Sequence, residues 1–310
     1  MSGSIQIGID LGGTKIAGVA LDDQGVTLAS RTAATPRGSY QGTIAAIAEI
    51  VAAMENEVGA DASVGVGIPG SISPSSGTVQ NANSTWLNGR PLDRDLSQKL
   101  DRPVRIANDA NCFALAEALD GAGRGAGIVF GVILGTGCGG GLVVDGKLVN
   151  GPMGIGGEWG HNALPWAEPH ETPGPQCWCG RRGCIESWVS GPALSIDHER
   201  VNGEKISAET IVERAGSGDG PAQDSLDRHV SRLARALGAL INIVDPEIIV
   251  LGGGLSQMSH LYERLPEQIA GHIFADEPII TLKPPHHGPA SGVRGAAWLW
   301  GSPHGTIQTE

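Results

Sequence analysis

A chain of 310 residues is long enough for two domains of ordinary size. Its composition is globular, 40% hydrophobic and 17% charged, and its net charge of −12 argues against a surface for nucleic acid or another polyanion. No apolar run approaches the ~20 residues needed to span a bilayer, and no basic-then-apolar leader opens the chain, so a soluble, cytoplasmic protein is expected.

Ile5 to Ile9 alternates as a strand and runs into Asp10-Leu11-Gly12-Gly13-Thr14-Lys15. Ile16 to Leu21 reads as a return strand, and Asp22-Asp23-Gln24-Gly25 as a turn into a third. The glycines therefore lie in a bend between antiparallel strands, without Walker spacing. Such a bend can be an ordinary hairpin, or it can offer backbone N–H groups and a hydroxyl to phosphate oxygens. Asp10 beside it is a candidate for holding Mg2+ through water. Apolar positions Ile44, Ile47, Ile50, Val51, Met54 and Val58 predict a helix from Gln41 to Val58.

Ser63 to Ile68 reads as a buried strand ending at Pro69-Gly70, followed by Ser71 and a turn at 74–77. The run Asn81-Ala82-Asn83-Ser84-Thr85-Trp86 has no period. It is either an exposed loop or a set of amides, hydroxyls and one indole for a polyhydroxylated ligand. Val104 to Ala107 is a strand, then Asn108-Asp109, then a helix from Ala110 to Leu119. Asp109 can be a helix cap, a general base for a substrate hydroxyl, or both.

A second apolar strand, Ile128 to Leu134, leads to Gly135-Thr136-Gly137-Cys138-Gly139-Gly140-Gly141. The glycines formally match a dinucleotide fingerprint, but they run into a hairpin turned at Asp145-Gly146 and not into a helix. The unit repeats the first glycine bend, which points to a duplicated fold with two phosphate-facing loops.

Cys177-x-Cys179-x4-Cys184, with His161 upstream, supplies a Cys3His set suited to a closed tetrahedral zinc site. Five cysteines, an odd number, and no secretory leader argue against a disulfide framework; Cys112 and Cys138 read as small buried residues. Glu158 and Glu186 flank the ligands and, with His161, are candidates to face a substrate. Further on, helices are predicted from Ile185 to Glu199, to a point near Arg214, and from Pro221 to Val244. A strand from Glu247 to Leu251 then leads into Gly252-Gly253-Gly254 and another helix. A last strand over Ile279 to Leu282 and a terminal helix over Ser291 to Trp300 precede a polar tail. His286 and His287 lack further ligand spacing and read as non-metal.

Six motifs in order resemble the ROK family of sugar kinases and repressors, within the actin-like ATPases of duplicated ribonuclease-H-like α/β fold. They are Asp10 to Lys15, Ala107 to Asn111, Leu134 to Gly137, Gly157 to His161, Cys177 to Glu186, and Val250 to Gly254. The runs Asn81 to Gly89 and Gly135 to Gly139 look most similar to bacterial fructokinases or manno(fructo)kinases.

The resemblance implies an ATP-dependent hexose kinase in which Asp109 takes the proton from the sugar hydroxyl. It implies sugar ligands at Asn83, Asn108, Glu158, His161 and Glu186, with Gly70 and Ser71 nearby. Gly12, Gly13 and Thr14, followed by Lys15, would be the first phosphate loop and Gly135, Thr136 and Gly137 the second. Gly253 and Gly254 would serve adenosine, and Asp10 would organise Mg2+. Structural Zn2+ would sit on His161, Cys177, Cys179 and Cys184, with the other His161 nitrogen facing the sugar. The expected layout is a smaller α/β domain over 1–112 with 291–310, and a larger one over 113–290 that carries the zinc motif. Closure of a cleft between them would exclude water, and a homodimer is implied.

Fructose leads as acceptor; mannose, glucose and N-acetylhexosamines remain open. A repressor would need an N-terminal helix-turn-helix, which a first strand at Ile5 leaves no room for. A sugar sensor without catalysis is opposed by Asp109 and both glycine loops.

Overall fold

In the computed structural model, which describes residues 5–301, the chain opens as β1 (Gln6–Leu11), β2 (Lys15–Leu21) and β3 (Thr27–Ala34). These are successive antiparallel neighbours, as the glycine bend and the Asp22–Gly25 turn require. Helix α1 (Tyr40–Val58) starts at Ser39, whose side chain accepts from the Gly42 N–H, and stops at left-handed Gly59. Ile44, Ile47, Ile50, Val51 and Met54 form its buried face, at the predicted spacing. Then come β4 (Ser63–Ile68), a short hairpin of β5 (Ser71–Ile72) and β6 (Val79–Gln80), α2 (Leu92–Leu100), β7 (Val104–Asn108) and α3 (Asp109–Leu119). The first sheet has the order β3-β2-β1-β4-β7, with β4 parallel to both β1 and β7.

The second half comprises β8 (Ile128–Leu134), β9 (Cys138–Val144), β10 (Lys147–Leu148), α4 (Glu186–Val189), α5 (Gly191–Asn202), α6 (Ala208–Gly216) and α7 (Gly220–Val244). After them come β11 (Ile248–Gly252), α8 (Ser259–Ala270), β12 (Leu282–Lys283) and α9 (Ser291–Ala297). Its sheet runs β10-β9-β8-β11-β12, the same permutation of chain order as the first. The duplication suggested by two glycine bends is thus written in strand order.

Contacts divide the chain into two compact units. One holds residues up to Gly131, Gly141–Gly157 and the chain from His286 on; the other holds Val132–Gly140 and Glu158–Pro285. In the first, α9 packs on β1, β4 and α3. The approach needs glycine: a Cβ on Gly65 would lie 1.9 Å from the Ala296 carbonyl, and one on Gly295 1.6 Å from that of Cys112. In the second, α7 buries Leu226, Val230, Leu233, Leu237 and Leu240, as its periodicity predicts.

Three elements differ from expectation. Helix α2 was not anticipated; its short apolar side is Leu92 and Leu96. The helix expected over 185–199 is two, because Ser190 is extended and caps α5, with Pro192 in its first turn. The strand expected over 279–282 pairs only at Leu282–Lys283, and Ile279 is exposed. The polar tail, 302–310, lies outside the described residues. Among the described residues no helix is long and apolar enough to cross a membrane.

Candidate active site

In the first unit the site residues gather where parallel strands end. Asp10 is in register with Gly67, Gly67 with Ala107, and Ile68 with Asn108. Asp10, Gly70 and Asn108-Asp109 therefore lie along the C-terminal edge of β1, β4 and β7, where open α/β sheets bind ligands. Asp109 is exposed at the first position of α3, and its carboxylate accepts from the Ala110 N–H at 2.8 Å. A helix N-terminus stabilises that negative charge. The cap itself is Asn108, whose Oδ1 accepts from Ala110 and Asn111 while its amide donates to the Gly70 carbonyl at 3.1 Å. So Asp109 is not the cap, and both polar atoms of Asn108 already serve the backbone. Burial pushes the Asp10 carboxyl above its usual range, with the Lys15 ammonium opposing. The buried Cys112 thiol is raised by burial and then by the charges of Asp10 and Asp109, which both lie near it.

The first glycine bend is braced from outside its own motif. Thr35 donates its hydroxyl to the Gly12 carbonyl at 2.7 Å, and Arg37 donates to that of Gly13 at 2.8 Å. Gly13, Thr14 and Lys15 stay exposed. Thr35 and Arg37 had no local signal; the β2–β3 register, which pairs Lys15 with Ala34, brings them there. Asn83 is exposed on a loop that Asn88 closes by exchanging two hydrogen bonds with Ala82. The indole N–H of this loop is engaged within the fold: Trp86 Nε1 donates to Thr43 of α1. Ser71 is buried, its hydroxyl accepting from Gln80 at 3.1 Å.

In the second unit the second glycine bend, Gly135 to Gly137, follows β8. Gly253, left-handed after β11, comes so close that a Cβ there would fall 2.4 Å from the Leu134 carbonyl. The sequence-predicted phosphate and adenosine glycines of this unit are thereby brought together. The same bend meets the motifs downstream: Gly191 N–H donates to the Gly135 carbonyl, Trp159 Nε1 to that of Gly139, and Cys138 N–H to Glu186. Glu158 is half-buried, and burial raises its carboxyl above the usual range, with His161 opposing and Glu186 adding to the rise.

His161, Cys177, Cys179 and Cys184 converge, their ligand atoms all within 4.8 Å of one another. His161 Nδ1 lies 3.6 Å from Cys177 Sγ, and the Cys179 and Cys184 sulfurs are 3.6 Å apart. A tetrahedral zinc ion would separate its ligand atoms by ~3.6–3.8 Å, whereas a disulfide needs ~2.05 Å. Three thiolates this close would repel one another, and a cation among them would offset that repulsion. The donor set therefore fits zinc. Left-handed Gly180 and Gly183 permit the turns that fold the thiols together. Behind this loop, Glu171 pairs with Arg232 and Arg235 at 2.8 Å each. The Arg232 guanidinium lies 4.4 Å from the ring centre of Trp188, on the short helix that carries Glu186.

Two sheets of one strand order, each with a glycine bend after its first strand, define a two-sheet α/β fold of the actin-like ATPase class. The chain belongs to the ROK family, whose model matches residues 6–302. It is 40% identical to an N-acetyl-D-glucosamine kinase of Pectobacterium atrosepticum, covering 94% of this chain and 97% of that one. It is 39% identical to the N-acetyl-D-glucosamine kinase of Escherichia coli O127:H6, with 94% and 98% covered. Among solved structures it resembles a ROK hexokinase from Thermus thermophilus, with a TM-score of 0.84, 30% identity and 94% and 96% covered. It also resembles a ROK family glucokinase from Streptomyces griseus in complex with glucose and AMPPNP, with a TM-score of 0.74, 29% identity and 96% and 99% covered.

Proposed function

We propose that this protein is an ATP-dependent sugar kinase whose acceptor is an N-acetylated hexosamine, N-acetylglucosamine first. The observation that carries the acceptor is the 39–40% identity, over nearly the whole chain, to N-acetyl-D-glucosamine kinases. The resemblance of the Asn81 to Gly89 and Gly135 to Gly139 runs to fructokinases covers far less of the chain, and fructose gains no support from these relatives.

Asp109 is the general base. Its exposed carboxylate accepts the proton of the acceptor hydroxyl as that oxygen bonds to the γ-phosphorus and the bond to the β-phosphate oxygen breaks, releasing ADP. Asn83, Glu158, His161 and Glu186 are assigned to acceptor hydroxyls, and Asn108 to holding Asp109 and Gly70 in place. The glycine bends at Gly12 to Thr14 and Gly135 to Gly137 offer backbone N–H groups to phosphates, and Gly253 and Gly254 flank the nucleoside. Asp10 would hold Mg2+ through water, and the cation would neutralise phosphate charge. His161 Nδ1 and the three thiolates would hold zinc, which fixes the loop that presents His161 and Glu186.

The test is product identification. With Mg-ATP and N-acetylglucosamine, mass spectrometry should find the sugar monophosphate in step with ADP. ADP release that is independent of any sugar would reject the reading.

A further inference from the structure

Glu186 is held by both oxygens. Oε1 accepts from the Trp178 indole at 2.7 Å, and Oε2 accepts from the Cys138 backbone N–H at 2.9 Å. Trp178 stands between two of the clustered cysteines and is 65% exposed. Its ring meets that of His161 edge to face, with centroids 5.0 Å apart. Cys138 opens β9 directly after the second glycine bend, and a Cβ on Gly137 would fall 2.7 Å from Glu186 Oε2. One carboxylate thus ties the cysteine loop to the phosphate-facing bend.

Core packing does not explain a large ring left mostly in water, since burial is what usually recovers the cost of ordering it. The hydrogen bond does explain its placement. The terminal torsion of a glutamate is broad and two-fold, so one donor fixes one oxygen and leaves the other to swing. A second donor removes that freedom. A carboxylate has about four acceptor positions, and with the Cys177 thiol also 4.0 Å from Oε1, Glu186 keeps room for a further partner while both its oxygens are anchored.

We propose that Trp178 is a positioning residue: its indole N–H locks Glu186 as a strut between the cysteine loop and the second glycine bend, and so sets the affinity for the acceptor sugar. The consequence for the sugar rests on the kinase reading above; the Trp178–Glu186 pairing does not.

The experiment compares the metal-loaded full chain with Trp178→Phe, Glu186→Gln and the double variant. Phenylalanine keeps a ring edge beside His161 and deletes only the N–H. Trp178→Phe should keep the parent's metal content, raise the KM for N-acetylglucosamine about tenfold, as loss of a bond to a charged group predicts, and leave kcat within about twofold. In the Glu186→Gln background the same replacement should raise KM by no more than about twofold, because the charge it serves is gone. Without sugar, Glu186→Gln should alter tryptophan emission when Trp178 is present and leave it unaltered in Trp178→Phe.

An unchanged KM in Trp178→Phe, an equal effect in both backgrounds, metal loss in Trp178→Phe, or Trp178 emission indifferent to Glu186→Gln would each overturn the proposal. If the parent phosphorylates no sugar, the kinase reading fails and the sugar consequence with it, while the emission measurement still decides the pairing.

Discussion

Asn108 reaches back from the start of α3 and donates to the carbonyl of Gly70, 38 residues earlier, at 3.1 Å. Its other amide atom caps α3, so one side chain fixes both the helix that carries Asp109 and the turn that follows β4. Asn108→Ala should lose the cap, at a cost of about 1 kcal/mol, and should lower kcat by letting Asp109 drift. Asn108→Asp retains the capping oxygen but not the donor to Gly70. It should recover most of the lost stability and less of the lost kcat, as urea unfolding and steady-state kinetics would report.

Asp109→Asn removes the base while preserving the shape of the side chain. Turnover should fall by about 10² or more, the range for loss of a general base. Sugar affinity measured by calorimetry should stay within a few-fold of the parent. A variant that turns over at near the parent rate would remove Asp109 from the mechanism.

The cysteine loop should stand or fall with its metal. Purified protein should carry about one zinc per chain by atomic absorption, as a closed Cys3His site binds one ion. Cys179→Ser or Cys184→Ser should lose most of that zinc. Because bound metal contributes to folding, each should also lower the thermal midpoint and become susceptible to proteolysis near Gly180. A chain that is fully active with no zinc would remove the metal from the account.

Acid stability should depend on Glu171. The guanidinium groups of Arg232 and Arg235 outweigh burial and hold its carboxyl down at about 2, below the ordinary 4.5. A depressed carboxylate contributes stability in full above its unfolded value and loses it as pH falls toward the folded one. Glu171→Gln leaves buried Arg235 without a carboxylate and Arg232 with Asp197 alone, and should cost about 3–5 kcal/mol near neutrality. The gap between parent and variant should narrow as pH falls from about 4.5 toward 2, as midpoints in urea titrations would register.

Much of this was legible because the chemistry is local. The Gly12–Lys15 bend, the Asn108-Asp109 junction and the cysteine spacing each declare a backbone shape within a few residues, and the structure has a hairpin bend, a strand-to-helix turn and a four-ligand cluster there. What stayed hidden depends on register between distant strands or on tertiary partners. Thr35 and Arg37 reach the first bend only through β3, and Trp86 finds its partner on α1. Helix α2 buries only Leu92 and Leu96 among charged neighbours, too narrow a face to stand out over nine residues. Ile279 to Leu282 has strand composition, but it lies at the sheet edge, where contact with β11 begins only at Thr281, whose carbonyl accepts from the Ile249 N–H. The acceptor was least legible, since a few polar atoms on exposed loops distinguish one hexose from another.

The most direct measurement is kcat/KM for ATP-dependent ADP release with N-acetylglucosamine, N-acetylmannosamine, glucose, mannose and fructose, each at several concentrations. N-acetylglucosamine should exceed fructose and glucose by about tenfold or more, the scale of one additional net hydrogen bond. Fructose turnover equal to or above that of N-acetylglucosamine would contradict it.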